Sequence, residues 1–585
     1  MGDSYIIAID FGTAYSGYAF SLTSSEEQIE PNLKRWGKEL GLDTPKTPTC
    51  ILFNEDEEFL KFGYEARAAY IKMHGEEAKQ HYYFEAFKMA LYGKKLNRDV
   101  TIKAANGKSM NAMKVFTAAL SYLKEDALKT ISDKIAGMKF IASDFTWVLT
   151  VPAIWDSSAK QFMREAATKA GIVSNGTEDR LVIALEPEAA SVWCKKLPAE
   201  GFITENHDKA ALEQTPGTQY IVVDCGGGTI DITVHEVLDG GALKELHKAS
   251  GNDMGGQTVD KKFKDFLKEI FSDGVWDEYE KKHPNEVQKM MNDFTQLKQA
   301  DEDVQITCPF NLGTLAQKKK EIEKYFETMQ GASWNDGSIK ISKDKMRSFF
   351  DESLRGITKS LSDIFNKDFS IEHILLVGGY SSSMILRRHI TDQFGSQCKV
   401  LCPFRAQEAI VKGAVMFGRN PQVVASRKSD FTYGVSVSEP FDESKHKAGK
   451  KFTTEEGEWC KDIFSTLVEE GEDVGWDEVR EHIFNPVRAN QTRMSMSFYR
   501  TERKNPKYVD EWGIEEVGSF GVSMPDTKGG TKRQVKLEIK FGSTEITATA
   551  TDKVSGSTES IKMDFMTKAP GCFKSIQNAA VPLTG

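Results

Sequence analysis

Two segments far apart in the chain, Ile6–Tyr18 (IIAIDFGTAYSGY) and Tyr220–Thr233 (YIVVDCGGGTIDIT), each run an apolar strand into an aspartate and then into a glycine turn that carries a threonine. An unbroken apolar run of this length reads as a strand covered on both faces, which belongs inside the sheet of an α/β domain. The aspartate sets a carboxylate at the C-terminal edge of that sheet, where a cation can sit. The glycines let backbone N–H groups approach phosphate oxygens. Each turn continues into a further apolar strand, Tyr18–Phe20 and Ile230–Val234. One Asp-x-Gly turn is commonplace after any strand. Two copies of the whole strand–turn–strand device predict two halves that clamp one phosphate tail between them.

A chain of 585 residues is too long for one core, and about two to four domains are expected. The net charge of −10, with no long basic run, argues against a nucleic-acid partner. The opening residues lack the charged and apolar regions of a secretory leader, and no apolar stretch approaches the length of a membrane span. The expected location is the cytoplasm, with the nucleus open to the protein as well. The eight cysteines form no CxxC pair and have no histidines at zinc-binding spacing, so they read as small buried hydrophobes. Cys398 and Cys402, which flank a short strand, are expected to be free thiols.

Up to about residue 420, strands alternate with helices. VLTVPAI (Val148–Ile154) is a strand, after which Asp156 caps a helix that stops at Gly171. LVIALEP (Leu181–Pro187) is a second strand, and Pro187 sits in the first turn of the helix that follows. Lys343–Lys367 has helical spacing through Met346, Phe350, Leu354, Ile357, Leu361 and Ile364, and HILLVGGY (His373–Tyr380) is another buried strand. Beyond Asn420, Met494–Arg500, Val535–Phe541, Glu545–Thr551 and Glu559–Phe565 alternate apolar and polar residues as half-buried antiparallel strands do, with a hairpin turn at Asp552–Thr558. Trp459–Leu467 and Trp476–Phe484 have near-helical spacing and are expected to form an insertion or an irregular edge. The expected domains are residues 1–420 in two halves (about 1–200 and 201–420), a linker at 421–431, a β-rich domain at 432–566, and a short tail at 567–585.

The ordered set IDFGTAYSG, VPAIW, ALEPEAA, VVDCGGGTIDITV and LLVGGYSS resembles the 70-kDa heat-shock chaperone family, whose nucleotide domain shares its fold with actin and the sugar kinases. The likeness runs from Tyr5 to Phe565. The spelling WVLTVPAIWDSSAKQFMREAA, with ALEPEAAS, LVGGYSS and FTYGVSV, is most similar to a divergent branch of that family. The resemblance implies an α/β, duplicated actin-like (ribonuclease-H-like) two-lobed ATPase domain, followed by a small antiparallel β-sandwich-like domain. It also implies ATP or ADP with Mg²⁺ as cofactors.

Carried over position by position, the resemblance implies that Asp10 and Asp224 hold Mg²⁺, largely through its waters. Gly12, Thr13, Ala14 and Tyr15 would wrap the β- and γ-phosphates from one side, and Gly226, Gly227, Gly228 and Thr229 from the other. Ala14 stands where the family commonly has a second threonine. Lys88 in FEAFKMALYG matches the lysine that positions the attacking water, and Thr13, Glu186 and Asp231 complete the catalytic set. Pro152 and Glu186 mark the segments that sense loss of the γ-phosphate. Gly255, Gly256, Gly378, Gly379 and Tyr380 would border the ribose and adenine. The helix that makes polar contacts to adenosine should lie near Met290–Lys298, but its family spelling is not present.

The β part implies a site for client proteins or extended peptide segments. The linker VVASRKSD lacks the leucine-rich run expected to dock when ATP binds, no helical lid follows, and there is no acidic tail to recruit co-chaperones. A lidless site releases its ligand faster. The implied activity is that of a weakly ATP-hydrolysing, chaperone-like, stress-response protein in which closure of the two lobes biases the β domain. A nucleotide-binding scaffold without turnover is the main alternative. A small-molecule kinase is a weaker one, because no further catalytic aspartate is evident.

Overall fold

The computed structural model describes residues 5–22, 30–135, 137–206, 208–561, 563–566 and 580–582. At the centre of the first large sheet is the strand Tyr5–Phe11. On one side it pairs antiparallel with Tyr15–Ser21, which continues to Asn32–Leu33. On the other it pairs parallel with Phe145–Val151, and that strand with Leu181–Leu185. The second sheet repeats this order and these directions. Gln219–Cys225 is flanked by antiparallel Ile230–Val237 and then Leu243–Asn252, and on its other side by parallel Ile371–Val377 and Lys399–Pro403. A short glycine turn can only return an antiparallel neighbour, whereas a parallel neighbour needs a crossover. Helix Ala112–Lys134 lies on the crossover to Phe145–Val151, and helix Asp351–Phe365 on that to Ile371–Val377.

Between the two sheets lie helices Glu186–Cys194 and Ala406–Arg419, packed through small residues. Ala189, Ala190, Ala409 and Ala414 share one core with Ile6, Ala8, Val148 and Val222. A side chain at Gly413 would collide with the Ala189 carbonyl, so the two helices approach to backbone distance. Asp156 caps Ser157–Lys169 as expected, accepting from the Ala159 N–H at 3.0 Å. The helical stretch from Lys343 divides into Lys343–Ser348 and Asp351–Phe365, which keep one apolar face.

Beyond residue 431, two five-stranded antiparallel sheets share one core that includes Tyr433, Val435, Phe498, Val535 and Leu537. The segments expected to form an insertion or an irregular edge fall largely on strands Gly457–Val468 and Arg480–Pro486, and the first of these is irregular, with Asp462 in the left-handed region (φ 62°). Register shifts between Gly457–Val468 and its neighbour Thr432–Pro440 break strict alternation, so apolar spacing there imitates a helix. Ala580–Pro582, expected to be mere tail, adds an edge strand beside Arg480–Pro486. The rest of the tail lies outside the described residues. Among those described, no helix is long and apolar enough to cross a membrane.

The linker departs most from expectation. Without any leucine run, Val424–Lys428 docks as a strand, parallel to Leu243–Asn252 and antiparallel to Asp473–Gly475. The main-chain ladder needs no particular side chains, and Arg427 adds a buried fork to Glu188. Further contacts tie the β part to the first sheet: Thr544 Oγ1 donates to the Ile183 carbonyl at 2.7 Å, and Arg164 grips Glu545 through two bonds of 2.7 and 2.6 Å.

Candidate functional site

Asp10 and Asp224 end the central strands of the two sheets, and the glycine turns after them meet face to face. A Cβ on Gly228 would lie 2.8 Å from Thr13 Oγ1, and one on Gly227 would lie 2.7 Å from the Ala14 Cβ. At Gly227 the facing backbone is close as well, with Ala14 N 3.3 Å from such a Cβ, whereas at Gly228 the crowding comes from the Met89 and Thr13 side chains. The first turn is braced by Thr49, whose N–H donates to Ala14 O at 2.9 Å and whose hydroxyl donates to Gly12 O at 2.7 Å; Tyr15 opens the return strand. The second turn closes through Gly226 N–H to Thr229 O at 3.0 Å. It is supported from below by Gly255, Gly256 and Gln257, whose N–H groups reach Gly228, Gly226 and Gly227 carbonyls at 3.2, 3.0 and 2.8 Å. Gly378, in the left-handed region (φ +83°), passes so close to Asp224 that a side chain there would strike its Oδ1. Gly379 follows in the same turn.

Behind the turns lie buried carboxylates. Glu186, Asp224 and Asp231 each offer an oxygen, all within 4.8 Å of one another. Asp10 accepts from Thr150 Oγ1 at 3.0 Å and pairs with Lys46. Lys88 is only 2% exposed, unlike a solvated surface lysine, and donates to Glu186 Oε1 at 2.6 Å. Asp231, in the second half, accepts from Ile154 N–H of the first half at 2.9 Å and from Thr229 Oγ1 at 2.7 Å. VPAIW is thereby tied to the facing sheet. Asp224 Oδ1 is buried without a partner.

Four carboxylates here face two ammonium groups, and Glu186, Asp224 and Asp231 are held upward, first by burial. Burial pushes Glu186 up to about 7 against the pull of Lys88, with Asp10 and Asp231 raising it further. Burial, then Glu186, Asp231 and Asp10, hold Asp224 well above the usual carboxylate range. Asp231 is raised by burial despite its hydrogen bonds. An orphaned carboxylate oxygen within an all-oxygen acidic cluster suits a hard cation, so these residues fit Mg²⁺. Between its ordinary 4.5 and about 7, the folded chain holds a proton on Glu186 that the unfolded chain has released. This group therefore lowers stability progressively as pH rises through that window, and no further above it. A cation competes with that proton. Mg²⁺ with nucleotide is expected to raise the melting temperature more at about pH 8 than at about pH 6, with the difference shrinking in Glu186→Gln. Equal shifts at both pH values in the parent chain would contradict the arrangement.

The residues that the family resemblance sets beside adenosine pack as apolar core. Tyr380 is buried against Phe350 (ring centroids 6.2 Å) and against Gly256, so its ring is already packed within the core. Helix Pro284–Leu297 turns Met290 and Phe294 into the core, and Phe294 stacks on Phe263 at 3.9 Å. Lys298, just past its end, reaches Asp260 at 2.6 Å and the Gly256 carbonyl at 3.2 Å. Sequence reasoning missed Lys46, Thr49 and Thr150. No local pattern marks them, since Lys46 and Thr49 lie in a loop and short strands whose approach to Asp10 and Gly12 exists only after folding.

A pair of strand-end aspartates with facing glycine turns, set on an α/β fold with mixed sheets, is the arrangement of a nucleotide-binding Hsp70-like protein. The family profile described as "Hsp70 protein" matches residues 46–431, and the chain belongs to the Hsp70 family. It is 34% identical to the human protein named heat shock 70 kDa protein 12A over 96% of this chain and 91% of that one, and 32% identical to human heat shock 70 kDa protein 12B over the same shares, which sets it in the 12A-like branch. A chaperone protein DnaK from Thermosipho melanesiensis is 24% identical over 74% of this chain and 63% of its own length.

Proposed function

We propose that residues 1–420 form a two-lobed actin-like ATPase domain that binds ATP or ADP with Mg²⁺ between its halves and hydrolyses ATP weakly. In this reading, residues 432–566 form a peptide- or protein-binding β domain whose state the nucleotide biases through the linker at 421–431. The observation that carries it is the meeting of the two glycine turns above buried carboxylates, one of which has an unpartnered oxygen.

Each residue then has a task set by its place. The turn backbones at Gly12–Tyr15 and Gly226–Thr229 bind phosphate oxygens, and the Thr13 hydroxyl orients the terminal phosphoryl group. Lys88, held by Glu186, fixes the attacking water and answers charge at the phosphoryl group, and Asp231 keeps VPAIW in register with that water. Gly255, Gly256, Gly378 and Gly379 leave room for the nucleoside. Mg²⁺, held near Asp10 and Asp224, would supply charge neutralisation to the phosphate tail. Phosphoryl transfer needs little beyond such positioning and neutralisation. Helix Glu186–Cys194 joins this site to the β part, because Glu186 faces Lys88 while Glu188 grips Arg427, whose Nη1 donates to the Gly542 carbonyl at 2.6 Å.

The scaffold reading, nucleotide binding without productive turnover, draws on Lys46, which already neutralises Asp10, and on Ala14. Calorimetric titration with ATP and ADP, with and without Mg²⁺, tests the proposal. The parent chain is expected to bind both nucleotides with Mg²⁺-dependent affinity, and Asp224→Ala to lose that dependence. Absence of binding to the parent chain would defeat both readings.

A further inference from the structure

On the far side of helix Glu186–Cys194 from the nucleotide turns, Glu188, His235 and Glu245 converge, each offering one ligand atom within 4.8 Å of the others and all three buried. They come from three elements. Glu188 stands in the first turn of the helix, His235 on strand Ile230–Val237 and Glu245 on strand Leu243–Asn252, where His235 and Glu245 are directly paired across the ladder. Opposed residues of an antiparallel pair project from the same face with their Cβ atoms about 5 Å apart, so the imidazole and the carboxylate are neighbours by construction. His235 is fully buried, and neither of its ring nitrogens has a hydrogen-bond partner. A neutral imidazole carries one donor and one acceptor, and burying both unmet is costly.

We propose that Glu188, His235 and Glu245 form a second cation site, for a Zn²⁺-like transition-metal ion, at the seam between the second sheet and the linker strand. An imidazole nitrogen among carboxylate oxygens is a mixed donor set that Zn²⁺-like transition metals accept, whereas Mg²⁺ prefers oxygen alone. Arg427 occupies both Glu188 oxygens from one side, at 2.8 and 2.6 Å. Each carboxylate oxygen retains a second lone pair, so the fork leaves Glu188 able to ligate. Glu245 Oε1 accepts the Lys428 N–H at 3.0 Å. Two of the three ligands therefore also hold adjacent residues of the linker strand, and an ion bound here fixes the carboxylates on which that strand docks. This site is independent of the nucleotide reading, since none of its residues belongs to the phosphate turns.

The test uses the full chain stripped with a chelator, dialysed, and titrated with Zn²⁺ in excess Mg²⁺, with bound metal counted by elemental mass spectrometry. The parent chain is expected to take up one equivalent, and Glu245→Gln and His235→Leu to bind at least about tenfold more weakly. His373→Leu, at a cluster whose two glutamates, Glu213 and Glu372, are exposed rather than buried, should retain the equivalent, and its loss in His373→Leu alone would place the ion there and overturn the assignment. Co²⁺ added to the unmodified chain should give the visible absorption of a low-coordinate site, a readout that does not depend on any variant folding. No stoichiometric uptake, or uptake unchanged in both Glu245→Gln and His235→Leu, would overturn the site and leave His235 an ordinary core residue.

Discussion

Lys88→Met is expected to lower single-turnover ATP hydrolysis by about a hundredfold to a thousandfold, the range for removing one preorganised charged donor, while ATP and ADP affinities measured by calorimetry change little. Lys88 sits behind the turns rather than in them, and its ammonium is directed by Glu186 at 2.6 Å and lies 5.2 Å from the Trp155 ring centre. Its charge is held where a phosphoryl group would accumulate negative charge, which affects the transition state more than the ground state. The fold should tolerate the change, because Glu186 is already raised to about 7 and can take a proton when its partner is removed. Hydrolysis unchanged in Lys88→Met would remove the catalytic assignment. Cellular function that survives while hydrolysis is lost would favour the scaffold over the ATPase.

Arg427→Met is expected to destabilise the docked chain by about 3–5 kcal/mol, the cost of leaving a buried carboxylate without its ion partner. Glu188 is wholly buried and Arg427 only 6% exposed, its guanidinium held by both Glu188 oxygens and lying 5.0 Å from the Trp476 ring centre. Denaturant unfolding followed alongside limited proteolysis at residues 421–431 would measure the loss and place it in the linker. Arg427→Lys should not restore stability, since an ammonium cannot supply the planar fork. The double variant Arg427→Met/Glu188→Gln should be less destabilised than the sum of its parts, because the stranded charge goes too. Stability and cleavage rate equal to the parent chain would show that the linker does not depend on this pair.

The two strand–turn–strand units were legible because their signal is local. An apolar strand, an aspartate and glycines occupy consecutive positions, and the same signal appears twice. Lys88 could be matched to a position, but only burial beside Glu186 separates it from a solvated lysine. The resemblance sets Tyr380 and the helix near Met290–Lys298 beside adenosine, whereas in the structure Met290, Phe294 and Tyr380 pack in the core of the second half. Trp459–Leu467 has near-helical apolar spacing because bulges shift the register of Gly457–Val468 against Thr432–Pro440 and disturb the two-residue period.

The sequence by itself determined the paired strand–turn units, the change from α/β to β patterning near residue 420, and the place of Asp10, Asp224 and the glycines that follow them at the ends of the two central strands. Each depends on neighbours in the chain, through backbone conformation and hydrophobic period. The tertiary structure alone decided that Lys46 meets Asp10, that Arg427 reaches Glu188, and that a linker without leucines docks as a strand. Those outcomes rest on charges brought out of water together from distant positions, and the energy of such a pair is set by burial and distance, which no local stretch of residues encodes.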